Sequence, residues 1–189
     1  MARSGPFCAA VLLAASVVGS TACGENIFEV KWTQANPDTV LLYTLARPEI
    51  NLISAFDFLG RVGIRIHSPG ASGLWDLVVD TQDGELVFVP PGGLDIESGT
   101  MIAALPGQAF DDVLEAPGDT TLYSKTMPLL IETTSVYVLR THEGRDRFGF
   151  PCSFYGKLQP LEVDPVLGIV RFVYDVSVLC DDRGLVPED

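Results

Sequence analysis

Two histidines, His67 and His142, are the side chains in this chain best suited to proton transfer or metal binding. Neither has a neighbour at the spacing of a metal-ligand motif. The sequence also lacks the G-x-S-x-G turn of hydrolases, the P-loop and the dinucleotide-binding glycine pattern. We therefore expect a protein that binds or assembles and is not an enzyme.

The segment RTHEGRDR, residues 140–147, is the only concentration of positive charge in the mature chain. It contains Arg140, His142, Arg145 and Arg147, interleaved with Glu143 and Asp146. One interpretation is an anion-binding site in which arginines contact carboxylates beside an axial histidine ligand. The other is a solvated hairpin loop whose charges pair locally. The same choice applies to His67, which reads either as a ligand or as a surface histidine before a turn.

Acidic side chains outnumber basic ones, with 25 Asp and Glu against 12 Lys and Arg and a net charge of −13. Such a surface repels nucleic acid and anionic lipid. Acidic pairs occur at 111–112 and at 181–182, and their oxygens are the type that calcium uses. Because their spacing matches no defined calcium loop, we interpret them as solvated turns.

The first 23 residues resemble a lipoprotein leader. Arg3 supplies a positive charge, residues 9–18 are almost entirely apolar, and small residues then precede Cys23. The apolar run is much shorter than the ~20 residues of a membrane-spanning helix, which favours a cleaved signal peptide. We predict that Cys23 becomes the first mature residue and carries acyl chains such as palmitate. The alternative is an ordinary signal peptide with an incidental cysteine.

This leader predicts where the protein resides and how the chain divides. Gly24 follows the cysteine in place of Asp, which does not favour retention at the inner membrane. We expect an exported protein of the bacterial cell envelope, anchored by lipid in the outer membrane and facing the periplasm or the cell surface. Residues 1–22 are the predicted signal peptide, 23–37 a lipidated tether, and 38–189 one domain.

The elements that must position the candidate residues read as β-strands. Short apolar or alternating runs are separated by Gly, Pro, Asn and Asp, and they lie at 40–45, 56–59, 62–66, 74–79, 86–89 and 129–140. Asp83-Gly84 between two of them predicts a tight hairpin turn. Trp75 alternates with Leu77 and Val79 and is predicted to be core. The best helical candidate, residues 109–116, is barely two turns, so we predict an all-β antiparallel sandwich or open barrel.

The C-terminal strands allow a prediction of register. Alternation from Val170 to Cys180 predicts one buried face, and the partner strand runs from Cys152 to Val163. A five-residue loop at 164–168 makes position i face position 332 − i, which puts Leu158 opposite Tyr174 and Cys152 opposite Cys180. In an exported protein such a pair is expected to be oxidised. We predict a Cys152–Cys180 disulfide at the open end of this hairpin, on its buried face.

A series of short motifs then enters in a fixed order. They are WDL at 75–77, FDDV at 110–113, EAP at 115–117, VYVLRT at 136–141, GR at 144–145, YGKLQ at 155–159 and RFVY at 171–174. In this order the chain resembles the HmuY family of bacterial haem-binding lipoproteins over about residues 57–175. The resemblance implies an almost all-β fold, an outer-membrane or surface location, and capture of haem between two axial ligands.

Two functional hypotheses follow. The first is a non-enzymatic ligand-binding lipoprotein of HmuY type with haem as the leading ligand. Its ligand-binding candidates are His67, His142, Arg140 and Arg145, with Met101 and Met127 as softer alternatives, since haem iron accepts His and Met. The second is an envelope lipoprotein with a structural or interaction role and no small ligand, which uses its acidic β-surface to hold a protein partner.

Overall fold

Short antiparallel strands make up most of the chain. The computed structural model describes residues 30–67, 71 and 74–187. The strands in chain order are β1 (Asp38–Tyr43), β2 (Ala55–Asp57), β3 (Val62–Ile64), β4 (Leu77–Gln82), β5 (Glu85–Val89), β6 (Met101–Pro106), β7 (Leu129–Leu130), β8 (Ser135–Arg140), β9 (Gly144–Arg145), β10 (Pro151–Cys152), β11 (Tyr155–Asp164) and β12 (Ile169–Val176). Helical structure in the described residues is limited to three 3₁₀ turns, Pro91–Leu94, Phe110–Asp112 and Thr120–Leu122. The predicted all-β class is confirmed.

The strands form two five-stranded sheets and one small hairpin. Sheet I has the order β1-β12-β11-β8-β6, and sheet II has the order β3-β2-β4-β5-β7. The third unit is the β9–β10 hairpin, in which Gly144 pairs with Cys152 and Arg145 with Pro151. This hairpin follows β8 directly and precedes β11, so it projects from one end of sheet I.

Aromatic side chains from both sheets meet in one core. Phe56 of sheet II lies edge-on to Phe172 of sheet I, with ring centroids 5.7 Å apart. Phe88 and Tyr137 make the same kind of contact between the sheets at 5.1 Å. Such edge-to-face pairs add to the apolar burial that drives the sheets together. The two sheets therefore pack as a sandwich, which decides between the two architectures that the sequence left open.

Trp75 is fully buried, as predicted, but its position differs from the alternation argument. It packs with Ala55, Val78 and Val89 in a second cluster, whereas Leu77 and Val79 belong to the main core. Strand β4 begins only at Leu77, so the period-2 rule does not extend back to Trp75.

Two predicted turns can be compared with their observed geometry. Asp83 and Gly84 both have positive φ, +52° and +87°, and they connect Gln82 to its partner Glu85. This is the conformation that a two-residue hairpin requires, and the predicted hairpin is confirmed. In contrast, residues 129–140 do not form one strand, because a turn separates β7 from β8.

The C-terminal hairpin has the predicted register over its central part. Leu158 faces Tyr174, and Pro160 faces Phe172. A β-bulge then shifts the pairing by one residue, so Asp164 pairs with Ile169 and the turn is one residue shorter than predicted. An extra residue on one strand leaves the pairing beyond it displaced by one.

The Cys152–Cys180 disulfide is confirmed, with Cα atoms 5.8 Å apart. The predicted burial of both cysteines is only half right, since Cys152 is buried whereas Cys180 is exposed. The reason is that β12 ends at Val176, after which the chain turns away from the sheet. The disulfide therefore joins β10 to this C-terminal turn and not to a continuing strand.

The helical candidate at 109–116 is wrong apart from the 3₁₀ turn Phe110–Asp112. Its backbone groups bond to β11 and not within a helix. The N–H of Phe110 donates to Oε1 of Gln159 at 3.0 Å. Buried Lys157 donates from Nζ to the carbonyls of Phe110 and Val113, at 2.8 and 2.9 Å. Two of the motifs, FDDV and YGKLQ, thus contact each other and hold the fold.

Candidate functional site

A groove lies between the β9–β10 hairpin and the turn that follows β12. Its volume is about 500 Å³. The lining residues are Val30, Arg145, Asp146, Arg147, Phe148, Phe154, Val178, Leu179, Cys180 and Asp182. Cavities that hold small organic ligands occupy ~300–1,000 Å³ and combine apolar walls with a few polar groups. The groove fits that description.

The tip of the β9–β10 hairpin is held by its own hydrogen bonds. Oδ1 of Asp146 accepts the backbone N–H groups of Phe148 and Phe150, both at 2.8 Å. The N–H of Gly149 donates to the carbonyl of Asp146 at 3.0 Å, and Gly149 has a φ of +86° that favours glycine. Phe148 and Phe150 are nevertheless 61% and 67% exposed. The loop thus presents two aromatic rings to solvent.

Positive charge surrounds these rings. Nη1 of Arg145 donates to the carbonyl of Gly149 at 2.7 Å, which places its guanidinium group on the loop. The guanidinium of Arg147 lies over the ring of Phe148 at 4.9 Å. Stacked arginines retain donors for carboxylates or phosphates. The arrangement can therefore hold an apolar group and an anionic group of the same ligand.

The opposite wall of the groove is fixed to the hairpin. The disulfide joins Cys180 to Cys152, and the N–H of Asp181 donates to the carbonyl of Ser153 at 2.8 Å. Nη2 of Arg140 lies 4.0 Å from Oδ1 of Asp181. The structure therefore gives Arg140 a supporting position beside the wall, whereas Arg145 lines the groove itself.

His142 lies near this groove in sequence but belongs to a different cluster. The buried carboxylate of Asp76 accepts three hydrogen bonds at Oδ1. The donors are Thr100 Oγ1 at 3.0 Å, the His142 backbone N–H at 2.6 Å and His142 Nδ1 at 2.8 Å. Its Oδ2 accepts the N–H of Phe58 at 2.9 Å. These contacts, here called the Asp76 cluster, connect the starts and ends of strands in both sheets.

The Asp76 cluster also shifts the protonation of its members. The hydrogen bond to Asp76 raises the pKa of His142, and this effect exceeds the opposing effect of burial. Burial raises the pKa of Asp57, whose Oδ1 accepts the N–H of Gly60 at 2.9 Å. One ligand atom each from Asp57, Asp76 and His142 lie within 4.8 Å of one another, which is close enough to share a cation. The Asp76 oxygens already accept protein donors, so we interpret the cluster as a tie between sheets.

The structure does not bring the two predicted histidine ligands together. His67 is exposed and lines a shallow cleft with Thr44 and Arg47. His142 lines another cleft, with Glu97, Ser98, Gly99 and Glu143. Of the softer candidates, Met101 is buried in β6 and Met127 is 68% exposed.

The acidic pairs have ordinary positions. Asp111 and Asp112 are exposed, and Oδ1 of Asp182 accepts the N–H of Gly184 at 2.7 Å. Sequence reasoning overlooked Phe148 and Phe150 in the groove and tip, and Asp76 in the cluster. The available signal was DRFGF at 146–150, where two phenylalanines flank a glycine in a segment otherwise typical of a polar loop.

No protein-family model matches this chain, and no curated protein or solved structure matches it either. Among the described residues, no helix has the length and apolar character needed to cross a membrane. The predicted signal peptide and the predicted lipidation site at Cys23 lie outside the described residues.

Proposed function

We propose that this chain is an exported, lipid-anchored protein of the bacterial cell envelope that binds a ligand and carries out no reaction on it. The observation that carries this proposal is the groove beside the β9–β10 hairpin, with aromatic walls and two arginines. The ligand class that suits it is an amphipathic anion, with an apolar body against Phe148 and Phe154 and an acidic group at Arg145.

Binding without catalysis is favoured by the state of the acid–base residues. Asp76 and His142 form a pair of the kind that enzymes use, and its histidine pKa is raised. Ser98 lines the cleft of His142, but its hydroxyl donates to Thr100 Oγ1 at 3.0 Å, and Thr100 in turn donates to Asp76. The hydroxyl groups beside the histidine thus support the buried carboxylate.

Haem is the amphipathic anion to test first, since it combines a flat apolar ring with two carboxylates. The arrangement predicted from the HmuY resemblance, with His67 and His142 as two axial ligands, does not fit the residues as placed, because the histidines line separate clefts. The groove can offer aromatic contacts and arginine contacts to such a molecule. The residues that line it supply neither histidine nor methionine for the iron.

Export and anchoring are supported by the leader and by the disulfide. A disulfide of this kind persists in oxidising compartments outside the cytoplasm. The predicted anchor, Cys23, precedes the first described residue, Val30, by seven residues. Mass spectrometry of the protein from its membrane fraction tests the anchor, with Cys23→Ser as the variant expected to lose both the lipid and the membrane association.

The ligand proposal is tested by titrating the mature chain, residues 24–189, with hemin and following Soret absorbance. A saturable shift that weakens on Arg145→Ala, and survives the double variant His67→Ala with His142→Ala, supports groove binding. Arg171→Ala is the matched control, because its exposed pair with Glu162 lies elsewhere on sheet I. If hemin gives no shift, displacement of a fluorescent fatty acid by palmitate is measured next. Failure with both probes would overturn the ligand proposal and favour the structural or interaction role.

A further inference from the structure

The exposed rings at the hairpin tip need an explanation that the groove alone does not supply. Phe148 lines the groove, but Phe150 does not, and Phe150 is the more exposed of the two. The hydrogen bonds to Asp146 hold the loop in one conformation that keeps both rings in water. A loop fixed so that it exposes adjacent aromatic side chains is typical of an interaction surface.

The start of the described chain shows what this surface faces. Val30 lines the same groove as Phe148, so the N-terminal segment leaves the domain beside the hairpin tip. Seven residues separate Val30 from Cys23, and an extended chain of that length spans at most about 25 Å. A lipid on Cys23 therefore holds this end of the sandwich close to the membrane.

The charges at the tip suit a phospholipid surface. Arg145 and Arg147 flank the rings, and their guanidinium groups can contact the phosphates that all phospholipid headgroups carry. Of the neighbouring acids, Asp146 is bonded to the loop backbone and Asp182 to the N–H of Gly184. The net charge of the whole chain is −13, so a locally basic tip orients the molecule with this end towards the bilayer.

We propose that Phe148 and Phe150 insert into the interfacial region of the bilayer while Arg145 and Arg147 contact lipid phosphates. The domain then touches the membrane at two points, the acylated cysteine and the hairpin tip, and is held in one orientation. Aromatic rings are favoured at this depth because they combine apolar area with a polarisable face. This inference rests on the anchoring part of the proposed function and not on the ligand.

The experiment places a tryptophan probe at the tip and another at the far end of the molecule. Phe150→Trp reports on the tip without changing the groove lining. Val166→Trp is the matched control, because Val166 is 95% exposed and lies in the turn between β11 and β12, at the opposite end of that hairpin from the disulfide. Each mature chain carries an N-terminal hexahistidine tag in place of Cys23 and binds nickel-chelating lipid in phosphatidylethanolamine–phosphatidylglycerol vesicles. The measurement is fluorescence quenching by brominated acyl chains, against the parent chain with its Trp32 and Trp75.

We expect quenching and a blue shift for Phe150→Trp and neither change for Val166→Trp. A second measurement uses the untagged mature chain, where Phe148→Ser with Phe150→Ser should weaken binding to the same vesicles by roughly tenfold or more. Equal quenching at both ends, or none at the tip, would overturn the proposal. The vesicle assay contains no hemin or fatty acid, and its tether replaces the lipid. Its failure is therefore distinct from failure of the ligand titration or of the lipidation analysis.

Discussion

The Asp76 cluster and the hairpin tip are close in sequence but opposite in their physical state. In the cluster a carboxylate with a fully buried side chain accepts four protein hydrogen bonds. At the tip, a few residues after His142, two phenylalanines remain mostly in water. The first region has polar groups inside that are satisfied, and the second has apolar groups outside that are not covered.

This difference separates residues that hold the fold from residues that remain available to a partner. A satisfied buried carboxylate is costly to disturb and has little capacity left for a ligand. Exposed aromatic rings on a fixed loop contribute little to folding and much to an interface. We therefore assign a structural role to the chemistry-bearing residues Asp76 and His142, and a binding role to the hairpin.

Removal of the buried carboxylate should have the largest effect. Asp76→Ala leaves the N–H of Phe58 and the hydroxyl of Thr100 without their acceptor, and it removes the partner of His142. We expect a loss of about 3–5 kcal/mol in the free energy of unfolding, measured by urea denaturation. Asp112→Ala, at an exposed position, is the control and should change stability by less than about 0.5 kcal/mol. Equal effects of the two substitutions would show that the cluster is not a tie between the sheets.

Loss of the disulfide should rank next. The cysteines are 28 residues apart, and the chain-entropy relation gives about 3–4 kcal/mol for a loop of this size. Cys152→Ala with Cys180→Ala should lower the free energy of unfolding by this amount and loosen the groove, since Cys180 lines it. The sharper test is ligand affinity of the folded variant. An unchanged affinity would show that the groove does not depend on its disulfide-bonded wall.

A smaller effect should appear in the pH dependence of stability. The pKa of His142 is raised from 6.5 in the folded state by the bond to Asp76. The stabilisation from the protonated ring is therefore complete below about pH 6.5 and is lost as the pH rises through the folded-state pKa. We expect a loss on the order of 1 kcal/mol between pH 6 and pH 8 for the parent chain, and a flatter profile for His142→Asn. Unfolding curves at fixed ionic strength measure both, and parallel profiles would contradict the assignment.

The smallest stability effect is expected at the tip. Phe148→Ala removes a ring that is already largely exposed, so the free energy of unfolding should fall by less than about 0.5 kcal/mol. Phe88→Ala is the matched control in the core, where loss of a fully buried ring should lower it by about 3–5 kcal/mol. Thermal denaturation of both variants measures the contrast. A large loss at Phe148 would mean that this ring supports the fold and is not reserved for a partner.

The parts of the fold that local pattern predicts are those in which neighbouring residues determine the outcome. Asp83-Gly84 adopts the positive φ values that a two-residue turn needs, and alternation along β12 predicts its pairing with β11. The register in turn brings Cys152 and Cys180 close enough for a disulfide. The shifted pairing beyond Pro160 was not predicted, because a bulge changes register without changing the alternation that the sequence displays.

The sequence by itself determined the all-β class, the main hairpins and the disulfide, because period-2 alternation and turn chemistry act over a few residues. Only the tertiary structure decided what the candidate residues do. Asp76 and His142 are 66 positions apart, and they meet because strands of different sheets end at the same side of the sandwich. The exposure of Phe148 and Phe150 depends in the same way on what packs nearby. Packing between distant segments determines whether a side chain is satisfied or left available, and no local pattern records it.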